Sequence, residues 1–92
     1  MFKKVSNEKL RYYASQNLDH LAADFARGRG EHLDVVSHLI QIRVEDRGDF
    51  RALAQNHFES LFPHDHVTAG EMLEQLSQLM TENDTLASYV EG

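Results

Sequence analysis

Apolar positions recur at steps of three and four along nearly the whole chain, and no stretch alternates with the period of two that a half-buried strand requires. The pattern predicts an all-α protein. A first helix is expected over 6–27, capped by Ser6 or Asn7, with Leu10, Ala14, Leu18, Leu21 and Phe25 on one stripe that Tyr13 and Ala22 widen. Arg27 in its last turn suits the negative end of the helix dipole, and Gly28 and Gly30 offer a left-handed stop. A second helix over 31–41 turns Leu33, Val36, Leu39 and Ile40 inward and Asp34, His38 and Gln41 outward. The β-branched Ile42 and Val44 predict a brief extended connection to a third helix over 45–62, whose seam is Phe50, Leu53, Ala54, His57, Phe58 and Leu61. Pro63 ends it, because proline lacks the backbone donor and pushes the residue before it out of helical geometry. Thr68, Ala69, Gly70 and Glu71 then spell a capping box for a fourth helix over 68–81, with Met72, Leu73, Leu76, Leu79 and Met80 as its core face. Apolar residues in the tail predict a short last helix over 84–90. The expectation is a small bundle of four main helices plus a short C-terminal helix, forming a single domain over 1–92.

Composition narrows what such a bundle could do. The 92 residues contain no Cys, which removes disulfides, thiolate metal clusters and thiol chemistry. No apolar run approaches the roughly 18 residues that span a bilayer, and the basic start Met1-Phe2-Lys3-Lys4 is not followed by the apolar stretch of a signal peptide. The net charge of −6 is unevenly distributed: all nine Lys and Arg lie at or before Arg51, while residues 52–92 carry only acids. A one-signed acidic half repels phosphate backbones and anionic lipid, so neither nucleic acid nor membrane insertion is expected. It either steers a basic partner, such as a basic patch on a second copy, or serves as a solubility coat.

Six His raise the question of metal. His20 and Asp24, and Asp34 and His38, stand four apart on helix faces, and the linker holds His64, Asp65 and His66 in a row. None completes a zinc or di-iron spacing, so no metal or cofactor is expected, with His64, Asp65 and His66 the weak candidates for a divalent ion. His57, in the seam of the third helix, is the candidate for a pH-sensitive core residue. Arg27-Gly28-Arg29-Gly30 resembles part of a phosphate cradle, but no strand precedes it, and a helix cap followed by a turn accounts for the glycines. Arg27 and Arg29 remain candidates for docking a carboxylate. The serines occupy cap or helix-surface positions and no nucleophile elbow is present, so no catalytic residues are assigned and an enzyme is not expected.

The stretch 18–33, with its Ala26-Arg27-Gly28-Arg29-Gly30-Glu31 run before an apolar helix, resembles the C-terminal helical part of a bacterial domain-of-unknown-function family of small exported proteins. The segments 57–62 and 84–89 are similar as well, and the likeness extends over residues 10–90. It implies a periplasmic or envelope setting, usually with a signal peptide and a Gly- and Cys-bearing N-terminal region, neither of which this chain shows. It implies no catalytic or binding residues.

Phe2, Val5, Tyr12, Val35, Leu39, Phe62 and Leu73 lie off the tightest stripes, a surplus that a dimer would bury. The sequence is therefore expected to encode a non-enzymatic protein-interaction module that self-associates as a homodimer, with Phe62 joining Arg27 and Arg29 at the contact. The alternatives are a metal or small-ligand carrier and an adaptor that binds an amphipathic partner helix.

Overall fold

The computed structural model describes residues 2–3 and 7–91, so the Ser6 cap and the packing of Val5 lie outside the described residues. The helices are α1 (Asn7–Gln16), α2 (Leu18–Arg27), α3 (Glu31–Ile40), α4 (Arg47–Asn56), α5 (Phe58–Leu61) and α6 (Ala69–Thr81). Three-residue 3-10 turns at Val44–Asp46 and Ala87–Tyr89 complete the secondary structure. Among the described residues the only extended pairing is an isolated antiparallel bridge between Phe2 and Val90. The fold is all-α, as the periodicity predicts.

Two of the expected helices are broken where the apolar stripe gives no sign of it. Asn17 separates α1 from α2: its side-chain amide donates to the Tyr13 carbonyl at 2.9 Å, the acceptor that its own backbone N–H would have used in a continuous helix. Asparagine favours such local bonds over helical ones. The stripe resumes in register at Leu18 and Leu21, so the break leaves no trace in the apolar pattern. His57 divides the expected third helix in the same manner, at φ −114° and ψ 22°, and its carbonyl accepts the Ser60 and Leu61 N–H groups that begin α5. Phe62 follows at φ −128°, as a residue before proline should. The expected last helix over 84–90 is a series of turns closed by the 3-10 segment, with the Asn83 side chain accepting the Thr85 and Leu86 N–H groups at 3.0 Å.

α6 opens as its sequence dictates. The Thr68 hydroxyl accepts from the Glu71 N–H at 3.1 Å and the Glu71 carboxylate accepts from the Thr68 N–H at 2.9 Å. These bonds favour the charged carboxylate and lower the Glu71 pKa from the ordinary glutamate value. A depressed folded-state pKa supplies stability that is present above the unfolded value and lost as pH falls through the folded one. Thr68→Ala should cost about 1 kcal/mol in chemical denaturation and shrink the acid-side slope of stability. An unchanged slope would refute the coupling.

α6 packs against α1, α4 and α5, and α2 packs against α1, α3, α4 and α5. Between them lie Leu10, Leu21, Phe25, Leu33, Val36, Phe50, Leu61, Met72, Leu73, Leu76 and Met80, all fully buried. The radius of gyration is 11.6 Å, matching the roughly 12 Å expected of a compact chain of this length. The apolar surplus goes largely into this core. Phe2 and Leu73 are buried, Leu39 and Phe62 pack against the core, and Val35 is half-buried. Among the described residues, Tyr12 and Val44 are the large apolar side chains left exposed, at 68% and 78%. No helix among the described residues is long and apolar enough to cross a membrane.

The α2–α3 corner as candidate functional site

Several polar contacts gather at the corner where α2 ends and α3 begins, within the stretch 18–33. Gly28 takes a left-handed φ of 73°, and the Gly28 and Arg29 N–H groups close back on the Phe25 and Asp24 carbonyls at 3.1 Å each. This is the helix stop that the sequence led one to expect. A Cβ at Gly28 would meet the Gln55 side chain, whose amide donates to the Arg27 carbonyl at 3.2 Å and ties α4 to the corner.

α3 then starts with no capping side chain of its own, because its N-cap residue is Gly30. Asp24, one helix earlier, supplies the acceptor instead. Its Oδ2 accepts the His32 N–H at 2.9 Å and the Leu33 N–H at 3.1 Å, and its Oδ1 pairs with the Arg27 guanidinium. The residue is only 4% exposed. A buried carboxylate is tolerable only when bonded in this way, and here it also meets the positive end of the α3 dipole. Gly30 makes the arrangement possible. Its φ is 144°, and an added Cβ would stand 2.1 to 2.3 Å from the Asp24 carboxylate atoms.

Three rings rest over this cap. His20 from α2 and His32 from α3 stack at 4.5 Å between centroids with 6° between planes, and Tyr13 from α1 lies 6.5 Å from His32 at 28°. His32 Nδ1 is 3.9 Å from Asp24 Oδ2. Burial, then the charges of Glu31 and Asp24, raise the Tyr13 pKa, keeping its phenol protonated. The in-plane lone pairs of two parallel imidazoles run side by side and do not converge, so the stack as it stands is not a two-nitrogen chelate.

The sequence-predicted residues are dispersed around the molecule. Arg27 is bound to Asp24 of its own helix while its side chain stays 56% exposed, and Arg29 is exposed beside it. Phe62 packs against the core, edge-on to Phe25 at 5.4 Å and stacked on Phe58 at 5.7 Å. His57 is exposed and is not a core residue: the chain break at that position turns its side chain outward, so the pH-sensitive role expected of it in the core has no basis there. His64, Asp65 and His66 form an exposed turn in which His64 Nδ1 accepts the His66 N–H at 3.1 Å, with the rings 6.4 Å apart and tilted by 44°. Among the described residues no group of three His, Asp or Glu is placed to hold a metal ion. Asp34 is taken by Arg51 at 3.2 Å, across from α4.

The sequence marks Asp24 only as standing four residues from His20 on a helix face, and the structure buries it. Its signal was indirect: a helix beginning at Glu31 after a glycine must draw its first acceptors from elsewhere, and Asp24 is the acid one turn before the glycine-rich stop.

An all-α fold with a glycine-built corner is the class of protein this chain represents. The sequence model of a family described as protein of unknown function, DUF3015, matches residues 3–90, and the chain belongs to that family. No curated protein and no solved structure matches it.

Proposed function

We propose that this member of the family is a non-enzymatic helical module that works by docking a basic protein surface. The observation that carries this reading is the distribution of countercharge. The ion pairs formed between described residues all lie between residues 24 and 51, while Glu59, Asp65, Glu71, Glu74, Glu82, Asp84 and Glu91 are exposed and enter none of them. Unneutralised charge of one sign raises the encounter rate with an opposite surface and favours its contact.

The depression between α1 and α6 fits the same reading. Glu8, Glu71 and Glu74 outnumber the one base, Arg11, around it, with Leu73 at its floor. A second copy of the chain is one source of basic groups, through Arg27 and Arg29. Because the apolar surplus is mostly internal, we infer that any self-association runs through these charges. The family resemblance supports an envelope setting, which cell fractionation would test.

Sedimentation velocity of the purified chain across salt concentrations tests self-association, and binding to a polylysine surface tests the acidic face. Salt-sensitive binding that weakens when Glu71 and Glu74 are changed to Gln supports the proposal. Binding that ignores both salt and those substitutions overturns it.

A further inference from the structure

We propose that the acidic cavity between α4 and α6 receives Arg29 of a second copy of this chain, and that the second copy's cavity receives Arg29 in return; the inference rests on the docking reading above and names its partner. The cavity has a volume of about 350 Å³. Leu53 and Leu79 line its apolar part, and Asp49 and Glu82 its charged part. An arginine fits that division, since its methylene stem packs on apolar surface while its guanidinium pairs with carboxylates. Neither acid is answered from within: among the described residues, Asp49 and Glu82 enter no ion pair. Glu82 also stands at the C-terminus of α6, where the helix dipole adds to its negative charge and the last turn holds no base. A cation arriving there relieves a repulsion that the fold leaves in place.

Arg29 is the matching group. It is exposed in the turn after α2 and among the described residues enters no ion pair, whereas Arg27, Arg43 and Arg51 are each held by carboxylates of their own chain. Corner and cavity are neighbours on one surface. Gln55 of α4 donates to the Arg27 carbonyl at 3.2 Å, and a hollow lined by Ala26, Gln55 and Phe58 runs from the corner to Asn56 and His57, which also line the acidic cavity. Along this surface α4 turns Gly48 and Ala52 to solvent, leaving its backbone open to close approach.

The unpaired base and the unpaired acids therefore flank a single face, the arrangement that self-complementary association requires. In a two-fold dimer, a contact of one residue with another is repeated with the copies exchanged. An axis lying in the face and running along α4 sets each Arg29 against the other copy's Glu82, so the pair forms twice and the assembly closes at two copies. Charge pairs at a surface make an association that salt weakens, because exposed charges are screened over roughly 10 Å at 0.1 M ionic strength and over about 3 Å at 1 M.

The test is sedimentation velocity on the intact chain at low salt and at about 0.5 M salt. The wild type should associate at low salt and dissociate at high salt. Arg29→Glu and Glu82→Arg, both at exposed positions, should each weaken association at least about tenfold, since each sets like charges together at both contacts. Mixed in equal amounts, the two variants should recover it, because their heterodimer has opposite charges at both contacts; recovery also shows that both variants are folded. Glu74→Arg, an equal change of charge elsewhere on α6, should leave association as it is. A chain that stays monomeric at low salt, an association that survives both reversals or is weakened as much by Glu74→Arg, or a mixture that does not reassociate overturns the proposal. Binding to polylysine separates it from the docking reading: a wild type that binds polylysine yet remains monomeric refutes the dimer alone, and one that does neither refutes both.

Discussion

Gly30→Ala is expected to be among the most damaging single-methyl additions this chain can suffer, lowering stability by about 3 kcal/mol or more. Two costs combine. The backbone at φ 144° and ψ 163° belongs to a region that residues bearing a Cβ scarcely enter, and the new carbon would stand 2.1 Å from Asp24 Cγ. For a domain of this size each kcal/mol lowers the melting temperature by roughly 4–8 °C, so the drop should exceed about 10 °C in a calorimetric or circular dichroism melt. A variant melting within about 2 or 3 °C of the wild type would show that the corner relaxes at little cost and that Gly30 is not there for the carboxylate.

Asp24→Ala is the second large effect, expected at about 2–4 kcal/mol. It leaves two N–H groups of the α3 first turn without their buried acceptor and removes a negative charge that complements the positive end of the helix dipole. Asp24→Asn keeps an oxygen in place and should cost less. The two sites are also coupled. Once the Asp24 carboxylate is gone, the methyl group introduced by Gly30→Ala has room, so the double variant should be less destabilised than the sum of the singles, with backbone strain the part that remains. Additive losses would separate the glycine from the carboxylate and leave the corner unexplained. Together the two substitutions account for the Arg-Gly-Arg-Gly run as architecture: one glycine stops α2, and the other lets a carboxylate from α2 begin α3.

What the sequence disclosed and what it concealed divide along a physical line. The Thr68 capping box, the Gly28 stop and the Pro63 termination depend on residues within one turn of each other, and each is found where the sequence placed it. The breaks at Asn17 and His57 did not show, because the apolar stripe continues in register across both. Polar residues at those positions carried the only hint, and in the case of His57 the seam position suggested burial instead. Asp24 was misjudged for a different reason. Its burial depends on backbone donors eight and nine residues later in another helix, and no periodicity within α2 contains that information. The stacked rings were hidden likewise, since His20 and Tyr13 flank the Asn17 break and His32 lies beyond the glycines. The apolar surplus read as a dimer surface is largely absorbed by tertiary packing, with Leu73 facing the core from α6 and Phe2 paired beside Val90.

That Phe2 pairing has a temporal side. The bridge to Val90, reinforced by the Lys3 N–H on the Tyr89 carbonyl at 3.0 Å, closes the largest loop the described chain contains. Contacts so distant along the chain carry the greatest closure entropy and follow the collapse of everything between them. Under denaturant or force, Phe2 and the 86–90 turn should let go together as the earliest cooperative unit to unravel, while the helices behind them still hold.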